Sequence, residues 1–401
     1  MKQLTLILVI LSLAISAIAG QEITEHGVLC IDNATTPEQA IETLDLRELW
    51  RIGGNDEEFI FRSIDKVLLA NDNNLYILDG LSGIIYVNSP EDGSAIRQMN
   101  ISGEGPGELA FSNNMFLMEE DEIALLRPHP AKIVCIDYQG VPRESVYLSV
   151  DMFFTAGTAQ WRNNTLVVSG TSAEVVNGQT FVARFNRYGE EFRYESYQTR
   201  SSMPKRQMVE EDDYFIIYKP WTIGQGGELY LAPYWSLANS NFYQINVYDQ
   251  QGKLQKLIRK EFDSYKRSGR DKKNVAKQKF CGDEGLRRLS DRDIEFLVED
   301  FDPDITNIYT RPNGNIWVQT SQSARSQKLG TLLSYDVFSP QGHFLRQVDL
   351  HGFGDGQKDI IYFLGEDRLV VVKGQMEAKF GCSMASEADI LEIICYEMQP
   401  E

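Results

Sequence analysis

The chain is 401 residues long, carries a formal net charge of −19 and contains 42% hydrophobic residues. Such an acidic balance argues against a nucleic-acid partner and favours solubility. The length exceeds that of an ordinary single domain, but closed all-β folds often reach this size as one unit.

The first predicted element is a signal peptide at residues 1–19. Lys2 precedes an apolar run over residues 4–15, and the small-x-small site at residues 17–19 follows it. The run is too short to span a bilayer well, and no second long apolar segment occurs, so we expect no transmembrane segment. A buried N-terminal strand or helix is the alternative. We therefore expect a secreted or periplasmic protein with residues 20–401 as one domain.

A two-part unit then recurs along the chain. Each unit has a polar turn, an alternating strand, and a second strand that ends in an aromatic or Asp residue before a glycine turn. We interpret the first of these strands as the inner strand of a blade. The six first strands begin at Leu75, Ile123, Leu166, Leu229, Ile316 and Leu369. One hairpin cannot bury its own faces, but sheets packed radially bury them against their neighbours. The pattern predicts an all-β fold, a six-bladed β-propeller with four-stranded blades.

Closure of the ring is predicted from a strand that has no blade of its own. The last unit ends near Met398, so its blade lacks an outer strand. Residues 46–52 contain Trp50 in an alternating segment, and strands favour such residues. We expect this N-terminal strand to complete the last blade, and a free N-terminal extension is the alternative.

The longest predicted insertion is basic and covers about residues 253–292. It holds 14 Lys or Arg against six Asp or Glu, and residues 266–273 are its core. We expect a partly helical surface excursion. It could contact an acidic partner or the acidic rim of the protein itself, or it could be a solvated loop with no partner.

The turn at residues 103–109 is the most distinctive joint of the chain. Gly103, Gly105 and Gly107 alternate with acids, and Pro106 removes one N–H donor. Glycine permits positive φ and close backbone approach. We expect a rigid, tight connection between strands.

Several of these segments together resemble a known family. They are the Trp-Arg-Ile-Gly-Gly run at 50–54 with its following acids, the strand at 74–79, the turn at 103–109, and the segments 314–318 and 337–342. They resemble exported bacterial six-bladed β-propellers related to NHL-repeat propellers, in which a Gly-x-Gly-Pro-Gly-Glu turn follows the first full blade. The resemblance implies the fold and an exported location but no settled activity. Glu104 stands where Arg or Lys is common, which speaks against anion binding at this turn.

Candidate ligand-binding residues are the polar groups that flank the predicted inner strands, because propellers place ligands at the channel mouth. They are Asp79, Arg127, His129, Asn164, Glu228, Asn315 and Asp367. His129 lies between two prolines and could contact a ligand or act as a general base, or it could be an ordinary loop histidine. Tyr234 and Trp235 follow a proline and could stack on a sugar or a peptide, or pack between blades.

Two functions remain open. The first is an extracytoplasmic, monomeric binding scaffold that recognises a protein, peptide or glycan at one face of the ring and needs no cofactor. The second is a lactonase-like hydrolase with Ca²⁺ or Mg²⁺ in the channel, for which Asp79, Asn164 and Glu228 supply suitable oxygen ligands. Too few of the four histidines are well placed for a zinc site, so no metal centre of that kind is expected.

The five cysteines lack any close spacing. They are Cys30, Cys135, Cys281, Cys382 and Cys395. One or two disulfides are possible after export, and the odd number leaves at least one thiol unless it pairs with another chain.

Overall fold

The computed structural model describes residues 21–54, 59–118, 121–148, 154–173, 178–186, 189–198, 207–210, 220–233, 240–280, 282–325, 329–375 and 391–400. The predicted signal peptide lies outside these ranges. No helix of the described part is long and apolar enough to cross a membrane.

Six antiparallel four-stranded blades follow one another along the chain, which confirms the predicted all-β, six-bladed β-propeller. Blade 1 consists of β4 (Lys66–Leu69), β5 (Leu75–Asp79), β6 (Ile84–Asn88) and β7 (Ala95–Asn100). Blade 2 consists of β8 (Asn114–Leu117), β9 (Glu122–Arg127), β10 (Lys132–Asp137) and β11 (Val146–Tyr147). Blade 3 consists of β12 (Phe154–Arg162), β13 (Thr165–Ala173), β14 (Gly178–Asn186) and β15 (Gly189–Gln198). Blade 4 consists of β17 (Trp221–Ile223), β18 (Leu229–Leu231), β19 (Phe242–Tyr248) and β20 (Leu254–Glu261). Blade 5 consists of β22 (Ile305–Thr310), β23 (Ile316–Thr320), β24 (Thr331–Phe338) and β25 (Phe344–His351). Blade 6 consists of β26 (Ile360–Leu364), β27 (Arg368–Lys373), β28 (Glu392–Pro400) and β3 (Glu42–Gly53).

The innermost strands are not the ones predicted from the repeats. The two strands of each predicted repeat unit are the second and third strands of a blade, such as β5 and β6 in blade 1. The first strands contact one another around the channel instead, as β4 contacts β8 and β12 contacts β17. The prediction was wrong on this point because each repeat was read from the polar turn before the second strand, so the strand ahead of that turn was left out.

Apolar packing occurs between blades rather than in one central core. Six clusters of buried side chains fill the six interfaces between neighbouring blades. The cluster between blades 6 and 1, for example, joins Trp50 and Ile393 of blade 6 to Leu75 and Ile77 of blade 1. Each sheet is therefore buried on both faces, as radial packing requires.

The N-terminal strand closes the ring as predicted. β3 pairs antiparallel with β28, in a register that begins where Leu44 lies opposite Pro400 and ends where Gly53 lies opposite Glu392. The start of β3 also pairs in parallel with the end of β25, which joins the outer edges of blades 5 and 6.

A further hairpin covers blade 4. It consists of β1 (Gln21–Glu25) and β2 (Val28–Asn33), and β2 pairs in parallel with the outer strand β20. Between β2 and β3, the amides of Glu38 and Gln39 donate to backbone carbonyls of β25. Residues 28–53, called here the belt, thus run along the outer edges of blades 4, 5 and 6.

The basic insertion folds into two helices above blade 5. They are α1 (Gly269–Lys279) and α2 (Gly282–Asp291), and β16 (Gln207–Val209) pairs in parallel with β21 (Glu295–Leu297) beside them. Ser268 and Asp271 form a capping box that begins α1. Residues 254–261 belong to β20, so the insertion is shorter than the predicted 253–292 at its start.

Candidate functional site

Blade topology divides the loops between two ends of the ring. The connections that lead into first strands, and the turns between second and third strands, lie at one end, called here the upper face. The turns between first and second strands, and between third and fourth strands, lie at the other end, the lower face.

The predicted site residues do not converge, because this division separates them. Asp79, Arg127 and His129 end or follow second strands at the upper face. Asn164, Glu228, Asn315 and Asp367 precede second strands at the lower face. A five-residue strand is more than about 13 Å long, so Asp79 cannot share an ion with Asn164 and Glu228. A Ca²⁺ or Mg²⁺ site in the channel stays a prediction, and these three residues together do not supply its ligands.

Asp79 has a structural role. It is fully buried and accepts hydrogen bonds from the backbone N–H of Arg62 (2.8 Å), Ser63 (3.2 Å) and Ser82 (3.0 Å), and from Ser63 Oγ (3.1 Å). These bonds hold the segment that leads into β4 against the turn after β5. The carboxylate is therefore used within the fold and is closed off from solvent.

Arg127 and His129 lie in the upper turn of blade 2. Arg127 Nε donates to Pro130 O at 2.9 Å, and His129 Nδ1 lies 3.2 Å from Phe154 O of blade 3. His129 is exposed and the peptide bond that follows it is cis. Both side chains stabilise loop geometry, and His129 also faces solvent.

At the lower face, the turns of neighbouring blades are bonded to one another. Asn163 Nδ2 donates to Gly226 O at 2.9 Å, and Gln225 Nε2 donates to Pro312 O at 3.0 Å. Arg311 Nη2 donates to Glu366 O at 2.7 Å. The turns that contain Asn164, Glu228 and Asn315 thus serve first to tie blades 3 to 6 together.

Arg311 is the most buried of the side chains that bond one lower-face turn to the next. Its guanidinium lies 4.1 Å from the Phe363 ring centroid and 5.0 Å from that of Trp317. Burial lowers the pKa of Arg311 to about 10, while Tyr335, Glu366 and Asp367 oppose the shift. The side chain fills the gap between blades 5 and 6 and stacks on aromatic rings that a lysine would not cover.

The channel between the first strands is polar. Arg162 Nη1 donates to Thr310 Oγ1 (2.9 Å) across blades 3 and 5, and Gln160 Nε2 donates to Trp221 O (3.2 Å). Asn114 Nδ2 bonds to Thr158 Oγ1. Within the described ranges, no group of three or more His, Cys, Asp or Glu side chains could hold a metal ion.

The distinctive turn at residues 103–109 is closed on its own carboxylate. Glu108 Oε2 accepts the N–H of Gly105 at 2.8 Å, and a Cβ on Gly103 would lie 2.1 Å from that oxygen. Leu109 behind it is buried in the cluster between blades 1 and 2. The turn is a rigid joint, and Glu108 takes the place that a bound anion would need.

Basic side chains at the root of the insertion are ion-paired. Arg267 is buried and bonds through Nε to Asp302 (2.5 Å) and through Nη1 to Glu210 (2.6 Å). Arg325 Nε lies 2.7 Å from the other oxygen of Asp302. Two residues on, Asp304 is buried and its Oδ1 has no hydrogen-bond partner within the described structure.

Some predictions fall on residues outside the described ranges. These are Tyr234, Trp235, Cys281 and Cys382. The other three cysteines, Cys30, Cys135 and Cys395, are buried, and burial raises the pKa of Cys395 to about 12.

Two features of the structure have no clear signal in the sequence. One is a set of exposed apolar side chains on upper-face loops: Ile60, Leu81, Phe111, Leu329 and Phe353. The other is a cleft of about 120 Å³ between blades 2 and 3 at the lower face, lined in part by Trp161 and by the predicted Asn164. Single apolar residues within polar loops give no periodic signal, and a cleft between blades depends on two distant segments.

Comparison with known proteins supports the fold. Residues 55–224 match the model of the family DUF5128, described as a 6-bladed beta-propeller. No curated protein matches the sequence.

Solved structures similar to this chain share little sequence identity with it. A member of the duf4221 family from Bacteroides vulgatus is 9% identical (TM-score 0.47), with 89% of this chain and 99% of that chain covered. A putative exported protein from Bacteroides fragilis is 11% identical (TM-score 0.47), with 93% and 99% covered. A gluconolactonase from Xanthomonas campestris is 10% identical (TM-score 0.41), with 84% and 88% covered.

Proposed function

We propose that this six-bladed β-propeller is an extracytoplasmic binding protein that recognises a protein partner through its upper face. The extracytoplasmic location rests on the signal-peptide pattern at residues 1–19. The observation that carries the binding role is the exposure of large apolar side chains on the upper-face loops.

The exposed apolar residues follow the ring in order. Leu329 lies on blade 5, Phe353 between blades 5 and 6, Ile60 between blades 6 and 1, Leu81 on blade 1, and Phe111 between blades 1 and 2. Ile60 is 73% exposed and Phe353 is 88% exposed. They form an arc over four consecutive blades.

An arc of this kind suits a protein surface better than a small molecule. Single exposed apolar residues are ordinary, but a set on one face marks an interaction surface. Apolar anchors spaced along an arc would each enter a separate pocket of a partner. The lower face offers Val141 alone among such exposed residues in its described turns.

A hydrolytic function has less support. Its three predicted oxygen ligands lie at opposite faces, and Asp79 is fully buried and accepts hydrogen bonds from the N–H groups of Arg62, Ser63 and Ser82. We therefore retain the binding role as the proposed function.

The test compares two charge substitutions at opposite faces. Phe353→Asp with Ile60→Asp introduces charge into the arc, and Val141→Asp introduces the same charge at the lower face as the matched control. Each protein is immobilised and incubated with an envelope extract, and bound proteins are quantified by mass spectrometry.

We expect a partner that wild type and Val141→Asp capture equally and that the double variant captures about tenfold less, which corresponds to about 1.4 kcal/mol. Equal capture by the double variant, or capture of no protein by wild type, would contradict the proposal. Melting curves of all three proteins establish that each is folded.

A further inference from the structure

We propose that the cleft between blades 2 and 3 at the lower face binds the ring of a neutral pyranose sugar, independently of any partner at the upper face. The cleft is formed where the two sheets diverge below their shared apolar cluster. Met118 and Val146 of blade 2 form one wall, and Trp161, Leu166 and Phe185 of blade 3 form the other.

The size of the cleft fits one sugar ring. Its volume is about 120 Å³, which is room for on the order of eight water molecules. A peptide segment or a bulky cofactor would exceed it. The cleft opens to solvent beside Asn164, so a longer glycan could continue outward from the bound ring.

The apolar wall suits the face of a pyranose. Trp161 is partly buried against the cluster between blades 2 and 3 and lines the cleft. An indole gives a large, rigid apolar platform and keeps one N–H donor for a hydroxyl group. The C–H face of a sugar ring would cover this platform while its hydroxyl groups point outward.

The polar rim suits hydroxyl groups rather than an ion. Arg184 Nε lies 2.7 Å from Glu191 Oε2, and Asn186 Nδ2 donates to Glu191 Oε1 at 2.9 Å. Among the described lining residues there is one cation and one anion, a balance that favours neither a phosphate nor an amine. Donors and acceptors placed side by side are what vicinal hydroxyl groups need.

Asn164 adds a polar group at the mouth of the cleft. It follows Asn163 in a two-residue turn in which both have positive φ (47° and 55°). Asparagine tolerates this conformation better than most residues. Asn163 ties the turn to Gly226, while Asn164 is exposed at the rim, where its amide can meet a sugar hydroxyl.

The test uses saturation-transfer NMR with the methyl glycosides of glucose, galactose, mannose and N-acetylglucosamine. We expect at least one to bind with a Kd of about 1 mM, typical of a weak single-ring site. Trp161→Ala should raise that Kd at least about tenfold by removing the platform. Phe353→Ala, an exposed aromatic of the upper face, is the matched control and should bind as wild type does.

Glu191→Gln is the second variant, because it keeps the shape of the rim and removes one charge. It should weaken binding even if Trp161→Ala melts too early to be measured. The proposal is overturned if none of the four glycosides binds, or if folded Trp161→Ala or Glu191→Gln binds as wild type does. Loss of binding in the Phe353→Ala control would also overturn it, since the bound site would then be at the upper face.

Discussion

Asp304 is a buried carboxyl whose protonation should set the pH dependence of stability. Burial raises the pKa of Asp304 from its usual value of 3.8 to about 7; a hydrogen bond from Ser264 opposes the shift and the charge of Asp302 adds to it. Between about pH 4 and pH 7 the folded protein therefore binds a proton that the unfolded chain has lost. The contribution of Asp304 to stability is present below this window and is lost as the pH rises through 7.

Replacement of the Asp304 carboxyl by an amide should remove the loss of stability at high pH. Asp304→Asn should raise the free energy of unfolding at pH 8 by about 1 kcal/mol or more, since one pKa unit corresponds to about 1.4 kcal/mol. At pH 4 the variant and wild type should differ little. Urea titrations at both pH values measure this. Asp263→Asn, which removes an exposed carboxyl nearby, is the control and should not alter the pH profile. An equal change at both pH values would contradict the prediction.

Residue identity alone could not have predicted this group or the roles of most candidate residues. Asp79, Asp304 and Glu108 are all carboxylates in polar loops of the sequence. The structure shows that one accepts hydrogen bonds from backbone donors, one lacks a partner at Oδ1, and one closes its own turn. These differences come from segments that meet in space, which local spacing does not contain.

At the scale of elements, the closing strand β3 packs against blade 1 at the junction between the last and the first blade. Trp50 is buried, and its Nε1 donates to Pro90 O of blade 1 at 2.9 Å. Gly93 lies against the same indole with φ 74°, and a Cβ there would come within 2.7 Å of Trp50 Cε3. Only glycine lets this turn approach so closely.

Trp50→Ala should destabilise the protein by about 3–5 kcal/mol, because it leaves a cavity and removes one hydrogen bond between blades 6 and 1. Pro90 O keeps a second donor, Arg368 Nη1 at 3.2 Å. The free energy of unfolding by urea titration measures this. Ile41→Ala, which truncates an exposed residue just before β3, is the control and should have little effect. A loss below about 1 kcal/mol for Trp50→Ala would show that β3 does not hold the ring closed.

Strand prediction succeeded where alternation was strong and failed where it was not. The second and third strands carry β-branched and aromatic residues buried on both sides, as in Ile133–Ile136, and gave the number of blades. First strands such as Trp221–Ile223 are too short to show a period. The candidate site residues are divided between both faces, since the second strand and not the first was assigned to the channel and the two faces were not distinguished.

At the scale of the whole molecule, the belt protects sheet edges. β2 covers the outer strand of blade 4, and Asn33 bonds to Arg259 O (3.0 Å) and Gly342 O (3.0 Å), which joins blades 4 and 5. An uncovered outer strand presents free N–H and C=O groups to other chains.

Deletion of residues 21–34 should therefore promote self-association while leaving β3 and the closed ring in place. Light scattering after size-exclusion chromatography should show dimers or larger species that increase with concentration. The control is Asn33→Asp, which weakens the joint but keeps the hairpin. A deletion variant with the same molar mass as wild type at every concentration would show that β20 is protected by other means.

The pairing of β3 with β28 also dictates the order in which the molecule can be assembled. The two strands, Glu42–Gly53 and Glu392–Pro400, are separated in sequence by nearly the whole chain. Five blades are made of consecutive segments and can form one after another, but the sixth waits for the last residues. Until then, the apolar surfaces of Trp50, Leu75 and Ile77 have no cover. Closing so long a loop is slow, so we expect the interface between blades 6 and 1 to form last. Apolar surface that stays exposed during folding promotes aggregation.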